Sequence, residues 1–350
     1  RLLYSMLIAA STMVSLASCD SFLEENPRDQ ITEEQAYKNS TLIYLNTVAS
    51  LYTQVGGSSG GAGLQGTDRG IYDLNTFTTD EVMLPTRGGD WYDGGLWQNL
   101  FHHAWGTKND LLKGSWDYLY KVIAQTNASL DKLNSILKED PNNKVIPPYI
   151  AEVRAFRAMY YYYLLDMFAR VPIVTSSKVE LKDVEQSERS AVFNFVKKEL
   201  EETVEQLSDA HSNLSGEYYG RMTKPVAYLL LAKIALNSEI YTDDNWTDGT
   251  KIDGKTIKFT VDGEEKNAWE ATIAYCDKIT ALGYKLEPKF ASNFSTTNEN
   301  SVENIFTIPM DRNLYKNEFY YLIRSRHYSH AKAYGQGGWN GSSATKEALD

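Results

Sequence analysis

The chain alternates between stretches with a helical apolar period and stretches with none. Thr32-Glu33-Glu34-Gln35 reads as a capping box, the hydroxyl bonding forward and the amide bonding back. It predicts a helical region to about Val55, carried by Leu42, Leu45, Val48, Ala49 and Tyr52. Gly56 to Gly70 is rich in Gly and Ser and reads as a loop. Residues 71–107 show no helical period. Helices dominate after that: Leu119, Ile123, Thr126, Leu130, Leu133 and Leu137 alternate in steps of four and three. Pro147-Pro148 opens a helix read as Tyr149 to Ala169, because first-turn amides have no partner to lose. Few of its positions are charged, which predicts burial on most sides, and Val171-Pro172 stops it. Ser190 to Ser208 is amphipathic, with Phe193, Val196, Leu200, Val204 and Leu207 inside and Lys197, Lys198, Glu201, Glu202 and Glu205 outside. Thr223-Lys224-Pro225 starts another helix, through Leu229, Leu230, Ile234 and Leu236. Trp269, Ile273, Cys276, Ile279 and Leu282 read as a further helical stripe with Cys276 as a buried thiol. Only Lys255 to Asp262 and Ile305 to Met310 look strand-like.

Paired helices of about 20 residues predict a mainly α fold: a tetratricopeptide-like helical-pair scaffold with long irregular loops and a few short strands. No strict period of about 34 residues is present. The tyrosine run at 160–163 reads as core, and Arg154 and Arg157 on the same helix read as paired with acids inside the scaffold, since a buried arginine needs a partner.

Composition narrows the function. Hydrophobic residues make up 42% and charged residues 23% of 350, so wholesale disorder is excluded. A formal net charge of −11 argues against a general nucleic-acid binder, which needs a basic surface to release counterions. Cys19 and Cys276 allow one bridge at most. The five histidines are scattered, and the adjacent His102-His103 cannot share a helical face as metal ligands usually do; no metal and no cofactor is expected. An EF-hand starting at Asp244 would put Trp246 third and Lys255 twelfth, which rejects it, although an irregular calcium loop at Asp243–Gly249 stays open. What remains distinctive is 24 Tyr and 7 Trp, which must be buried or used as flat amphipathic binding surface.

Arg1, the apolar run Leu2–Ala17 and Leu16-Ala17-Ser18-Cys19 form a lipoprotein signal: residues 1–18 are read as the signal peptide, cleaved before a lipidated Cys19. Residues 19–31 form a polar tether, and 32–350 a single helical domain. Ala344 to Asp350 reads as a helix just beginning, so the chain is expected to continue beyond it.

These features together resemble the SusD/RagB family of Bacteroidetes outer-membrane lipoproteins. The resemblance rests on Leu16-Ala17-Ser18-Cys19 followed by Asp20-Ser21-Phe22-Leu23-Glu24, on Glu152 to Tyr162, on Phe168-Ala169-Arg170-Val171-Pro172-Ile173-Val174, on Gly220 to Ala227, and on Gly338-Trp339-Asn340-Gly341. Their order and spacing run over residues 16–341. The resemblance implies a tetratricopeptide-like scaffold and a surface-exposed, non-catalytic binding protein anchored in the outer membrane. It implies capture of glycan and delivery to a TonB-dependent SusC-like transporter. Asp20, Glu24 and Glu25 look like the family's surface-export tether, although they are spread out.

Sugars present C–H faces and hydroxyl edges, which aromatic planes and Asp, Asn or Arg can meet. Arg87 to Asn99 holds all of these. Trp91, Tyr92 and Trp97 are candidate platforms, and Asp80, Arg87, Asp90 and Asn99 candidate hydroxyl partners. Equally, one or both tryptophans could pin the loops to the helices. Trp339 and Asn340 are a second candidate and Tyr315 a third. A lipid-anchored glycosidase would need two carboxylates across one sugar bond. Asp80, Glu81, Asp90 and Asp93 could supply them, but no Gly-x-Ser-x-Gly, His-Glu-x-x-His or phosphate loop is present. A non-binding scaffold subunit of a transporter complex is the third reading.

Overall fold

A computed structural model of the chain describes residues 32–57, 63–65, 68–311, 313 and 321–349. The signal segment, Cys19, the tether and Tyr315 lie outside the described residues. The chain divides into two compact units at Asn46/Thr47; the sequence reading draws no division there.

In the first unit the capping box forms as expected, with Gln35 N donating to Thr32 Oγ1 at 3.3 Å and Thr32 N to Gln35 Oε1 at 3.0 Å. The predicted helical region follows, broken into short pieces. Glu33–Ala36 is one turn, and Asn39 caps a new helix, Ser40–Tyr44, by accepting from Leu42 N at 3.0 Å. Asn-Ser-Thr side chains compete with the backbone for hydrogen bonds, so they start a helix more readily than they continue one. A π-helical stretch at Leu45–Ala49 and a short turn at Ser50–Tyr52 follow, the turn belonging to the second unit.

The second unit carries α1 (Ile71–Phe77), β1 (Val82–Met83), α2 (Leu96–Phe101), α3 (Asp110–Glu139), α4 (Ile146–Phe168), α5 (Arg189–Thr203) and α6 (Lys224–Leu236). A hairpin of β2 (Lys258–Val261) and β3 (Glu264–Asn267) leads into α7 (Ala268–Ala281), and α8 (Tyr321–Arg324), α9 (Tyr328–Ala333) and β4 (Ser343–Ala344) follow. The fold is mainly helical. Its sheets among the described residues are two antiparallel pairs, β1 with β4 and β2 with β3.

The scaffold is α3 to α7. Tyr118 and Tyr160 meet hydroxyl to hydroxyl at 2.9 Å and Arg157 donates to Asn127 at 2.8 Å, so α3 and α4 run antiparallel. Arg154 reaches Glu199, and Tyr161 packs edge-on against Phe195 at 4.8 Å, so α4 and α5 do the same. α6 packs on α7. The predicted stripes are buried: Leu119, Ile123, Thr126, Leu130 and Leu133 on α3, and Phe193, Val196, Leu200 and Val204 on α5 and the turn that ends it. Tyr160, Tyr161 and Tyr162 are core, and burial pushes the Tyr161 phenol up to about 12. That phenol accepts from Val174 N at 2.7 Å, while Tyr120 donates to Pro172 O and Asn127 to Val174 O. The extended chain after α4 thus has its backbone groups satisfied by side chains of α3 and α4.

The arginine reading holds in detail. Arg157, almost fully buried, pairs with the buried Glu199 at 2.7 Å, and Arg154 binds the other oxygen of the same carboxylate at 2.7 Å. Two guanidinium groups on one carboxylate leave that acid no unpaired lone-pair direction.

Three expectations are corrected. Ile305–Met310 forms no strand. On α7 the buried positions are Ala268, Ala271, Tyr275 and Ile279, while Ile273 is 63% exposed and Cys276 is exposed. The true face steps by three and then four residues, and the assumed one drifted off it by stepping mostly by three. Finally, β3 is a strand with no apolar alternation, formed because Asp262-Gly263, both with positive φ, make the tight turn that pairs it to β2.

Glu199→Ala is expected to destabilise the protein by about 3–5 kcal/mol, because it leaves Arg157 buried without its carboxylate. Urea unfolding followed by circular dichroism checks this; a loss below about 1 kcal/mol would show the pair to be dispensable.

Candidate functional site

Residues 68–101 are organised around a cation from the far end of the chain. Arg324 is fully buried. It donates to Asp73 Oδ1 at 2.7 Å and to Asp68 Oδ1. Asp73, also fully buried, sits in the first turn of α1, where its other oxygen accepts from Arg69 N at 2.6 Å. The Arg324 guanidinium lies 5.4 Å from the Trp97 ring, 5.8 Å from Phe77 and 5.9 Å from Trp91. The same weakly hydrated guanidinium therefore meets carboxylates through its N–H groups and lies within cation–π distance of three aromatic rings.

On this base the loop from Arg87 turns tightly. Arg87 and Asp90 exchange both backbone hydrogen bonds at 3.0 Å around Gly88-Gly89. Trp91 has φ +60° and Asp93 φ +42°, and Gly94 and Gly95 follow in the same left-handed region. A non-glycine residue held there costs on the order of 1–3 kcal/mol, so the surrounding contacts must impose it. Those contacts are visible. Asp93 Oδ2 accepts from Trp97 Nε1 at 2.7 Å and from Arg69 at 2.9 Å. Trp91 Nε1 donates to Trp339 O at 2.9 Å.

The C-terminal segment closes the cluster. Trp339 N donates to Ile323 O, Asn340 N to Arg326 O and Gly341 N to Arg324 O. A side chain at Gly341 would come within 2.8 Å of Arg324 Cγ and 2.9 Å of Trp91 Cε2, so only glycine lets the segment lie this close. β4 then pairs with β1, and Arg87 donates to Ser343 Oγ at 2.5 Å. Tyr328 donates to Asp90 Oδ2 at 2.5 Å, and that bond holds its phenol above the ordinary tyrosine value.

Of the residues picked from sequence, Trp91 and Trp339 come together, with ring centroids 6.3 Å apart and planes tilted by 37°. Both are half-buried, so each keeps part of its surface in solvent. Arg87 and Asp90 are exposed on the same loop, and Tyr92 is 59% exposed. Asn340 is half-buried beside Trp339 with φ +52°. Trp97 is corrected: at 1% exposure it is a core residue, packed edge-on against Phe77 at 5.2 Å and Trp91 at 6.3 Å, and it has no face to offer a ligand. It is the tryptophan that pins the loop. Asn99 is exposed on α2. The Asp80 side chain is exposed, and its carbonyl accepts from Thr345 Oγ1. Asp244, in the loop considered for calcium, is used by α5: both its oxygens accept from Ser190, at 2.8 and 2.6 Å.

Sequence reasoning missed Arg324, Asp68, Asp73 and Tyr328. Asp73 carried one usable signal, an acid in a helix first turn, but nothing local marks Arg324 as its partner 251 positions away.

A SusD-like family model described as starch-binding associating with outer membrane matches residues 65–236. Over 347 residues the chain is 22% identical to SusD-like protein P25 of Formosa agariphila, covering 97% of this chain and 57% of that one. Over 313 residues it is 22% identical to the starch-binding protein SusD of Bacteroides thetaiotaomicron, covering 87% and 50%. The chain thus spans about half the length of the curated relatives it matches. Among solved structures, a SusD-like protein of Bacteroides fragilis superposes with a TM-score of 0.66 at 19% identity, over 93% of this chain and 55% of that one. A laminarin-binding SusD-like protein does so with 0.57 at 24% identity, over 77% and 51%. At these identities the structural likeness speaks for the fold.

Arg324→Ala is expected to cost about 3–5 kcal/mol, since Asp73 would stay buried without its cation. It should also red-shift the tryptophan emission, because Trp91 and Trp97 lose the group they pack on. A variant with unchanged emission and unfolding midpoint would show that the clamp does not hold the loop.

Proposed function

The chain belongs to the SusD/RagB family, and from that premise we propose that it is a glycan-binding lipoprotein of the outer membrane surface. It captures oligo- or polysaccharide without cleaving it and delivers the glycan to a SusC-like TonB-dependent transporter. Cys19 carries the lipid anchor, residues 1–18 are the signal peptide, and residues from 32 onward form the binding body. No helix among the described residues is long and apolar enough to cross a membrane.

The observation that carries the ligand reading is the Trp91–Trp339 pair. Two aromatic planes from opposite ends of the chain meet at an angle on the surface, with Arg87 and Asp90 on the loop that brings Trp91 in. Tilted planes suit a saccharide chain, whose successive rings present C–H faces at an angle to one another. Arg87 donates and Asp90 accepts, which suits the hydroxyl edges. Tyr92 and Asn340 extend this surface on either side in sequence. Trp97 contributes indirectly, by fixing Trp91. Two relatives whose names state starch or laminarin binding make those polysaccharides the first probes.

In calorimetric titrations with starch, laminarin and an array of further polysaccharides, Trp339→Ala is expected to weaken binding of the preferred glycan about tenfold or more while leaving the melting temperature nearly unchanged. Trp97→Ala is expected instead to lower stability by about 3–5 kcal/mol. Wild-type affinity in the Trp339 variant would move the site elsewhere, and a folded protein that binds no polysaccharide on the array would overturn the glycan reading.

The anchor has its own test. Cys19→Ala should abolish labelling by a fatty-acid analogue and release the protein from the membrane fraction, since stable anchoring needs more than one acyl chain. Retention at the wild-type level would refute it.

A further inference from the structure

Away from the aromatic loop, α5, α6, α7 and the Asp262-Gly263 turn line a half-open pocket of about 230 Å³. Most of its polar groups already have partners. Tyr228 donates to Glu205 Oε1 at 2.6 Å. Lys278 Nζ pairs with Asp262 Oδ1 at 2.6 Å and stands 5.4 Å from the Tyr228 ring. Two groups do not. Glu201 Oε1 is buried with no hydrogen-bond partner. The Tyr275 hydroxyl, on a residue only 3% exposed, also has none. Burial, first, and then the Glu201 charge hold the Tyr275 phenol above its ordinary value, and burial raises the Glu201 carboxyl.

Buried polar groups without partners are rare in folded proteins, and each carries a desolvation cost. The two residues that carry this unpaired acceptor and this unpaired donor both line the pocket. A hydroxyl can serve both at once, giving its proton to the carboxylate and taking one from the phenol. An anion is disfavoured by Glu201, Glu205 and Asp262. A second ammonium group would meet Lys278, which already occupies Asp262 and the Tyr228 face. Among the described residues no group of three or more His, Cys, Asp or Glu side chains is placed to hold a metal ion. The Tyr228 and Tyr275 rings, stacked at 6.1 Å with planes 26° apart, add an apolar wall.

We propose that this pocket is a second, small saccharide site: it takes a neutral polyhydroxylated ring of monosaccharide size, anchored by one hydroxyl that donates to Glu201 Oε1 and accepts from Tyr275. Its volume of about 230 Å³ is roughly that of eight water molecules, enough for one sugar ring. The site shares no residue with the Trp91–Trp339 surface and does not depend on the reading of that surface. Glu201 and Tyr275 then have a common explanation: they are left unpaired by the fold because a ligand pairs them.

The test is saturation-transfer NMR on the purified protein with D-glucose, D-galactose and myo-inositol, and with methylammonium as the rival probe. At least one of the three polyols is expected to show transfer, and to keep it in Trp339→Ala. Tyr275→Phe and Glu201→Gln, the latter presenting a donor where an acceptor is needed, are each expected to weaken it up to about tenfold, the worth of one hydrogen bond. Thermal melts accompany each variant, and if Tyr275→Phe does not fold, Glu201→Gln decides. No transfer from any polyol, transfer from methylammonium alone, or equal affinity in the folded pocket variants overturns the proposal, the pocket then holding water or a cation. Loss of transfer in Trp339→Ala with the pocket variants unaffected also overturns it, and leaves the aromatic site standing.

Discussion

A guanidinium taken wholly out of water must be surrounded by groups that replace its hydration, and Arg324 draws those groups from the other end of the second unit. Asp73 and Asp68 take its N–H groups, and Phe77, Trp91 and Trp97 surround it with aromatic rings. Removing either side is costly, because a buried charge left alone is far worse than no charge at all. The clamp therefore fixes α1, the Trp91 turn and the segment from α8 to β4 as one object. The left-handed backbone at Trp91 and the close approach of Gly341 to the Trp91 ring both lie against this cation.

The helical scaffold solves the same problem with the same chemistry. Arg154 and Arg157 share Glu199. Arg221 binds both oxygens of Glu152, at 3.1 and 2.7 Å, and Tyr52 links that carboxylate to the Met222 amide. Tyr120, Tyr161 and Asn127 satisfy the backbone of Pro172 and Val174. The stretches that carry the family resemblance, around Glu152–Tyr162, Phe168–Val174 and Gly220–Ala227, are these polar solutions. Apolar helix faces tolerate many sequences of similar volume, whereas a buried ion pair or a side chain reaching a particular carbonyl does not. That is a physical reason for a family to be recognisable at 22% identity.

The scaffold was legible because its signals are local. Steps of three and four placed α3 and α5, paired prolines placed the start of α4, and the scarcity of charge on α4 announced its burial. A buried arginine on such a helix could be expected to find an acid, and it did. Legibility failed where a signal was ambiguous or distant. The Leu42–Tyr52 stripe hid the second start at Asn39. The stripe assumed on α7 differed from the real one by a small drift, enough to turn Cys276 outward. The pairing of Trp91 with Trp339 could be guessed from composition, since both sit among glycines. Which tryptophan faces water could not, because Trp97 is buried by Phe77, Arg69 and Arg324, and none of these is implied by its neighbours in sequence.

Separating the clamp from the surface it supports has a consequence for specificity. Arg324, Asp73 and Trp97 are buried and can change little without loss of the fold. Arg87, Asp90 and Tyr92 are exposed, on a turn whose path is dictated from beneath. Under the proposed function, changes among them would alter the hydroxyl partners offered to a ligand, while the buried cation and Trp97 still hold Trp91 from beneath. Under the same proposal, affinity for C–H faces and discrimination among hydroxyl patterns would rest on different residues, one set held by a buried charge and the other exposed. A loop shaped only by its own sequence would not allow that, because each change in its polar residues would also shift its aromatic ones.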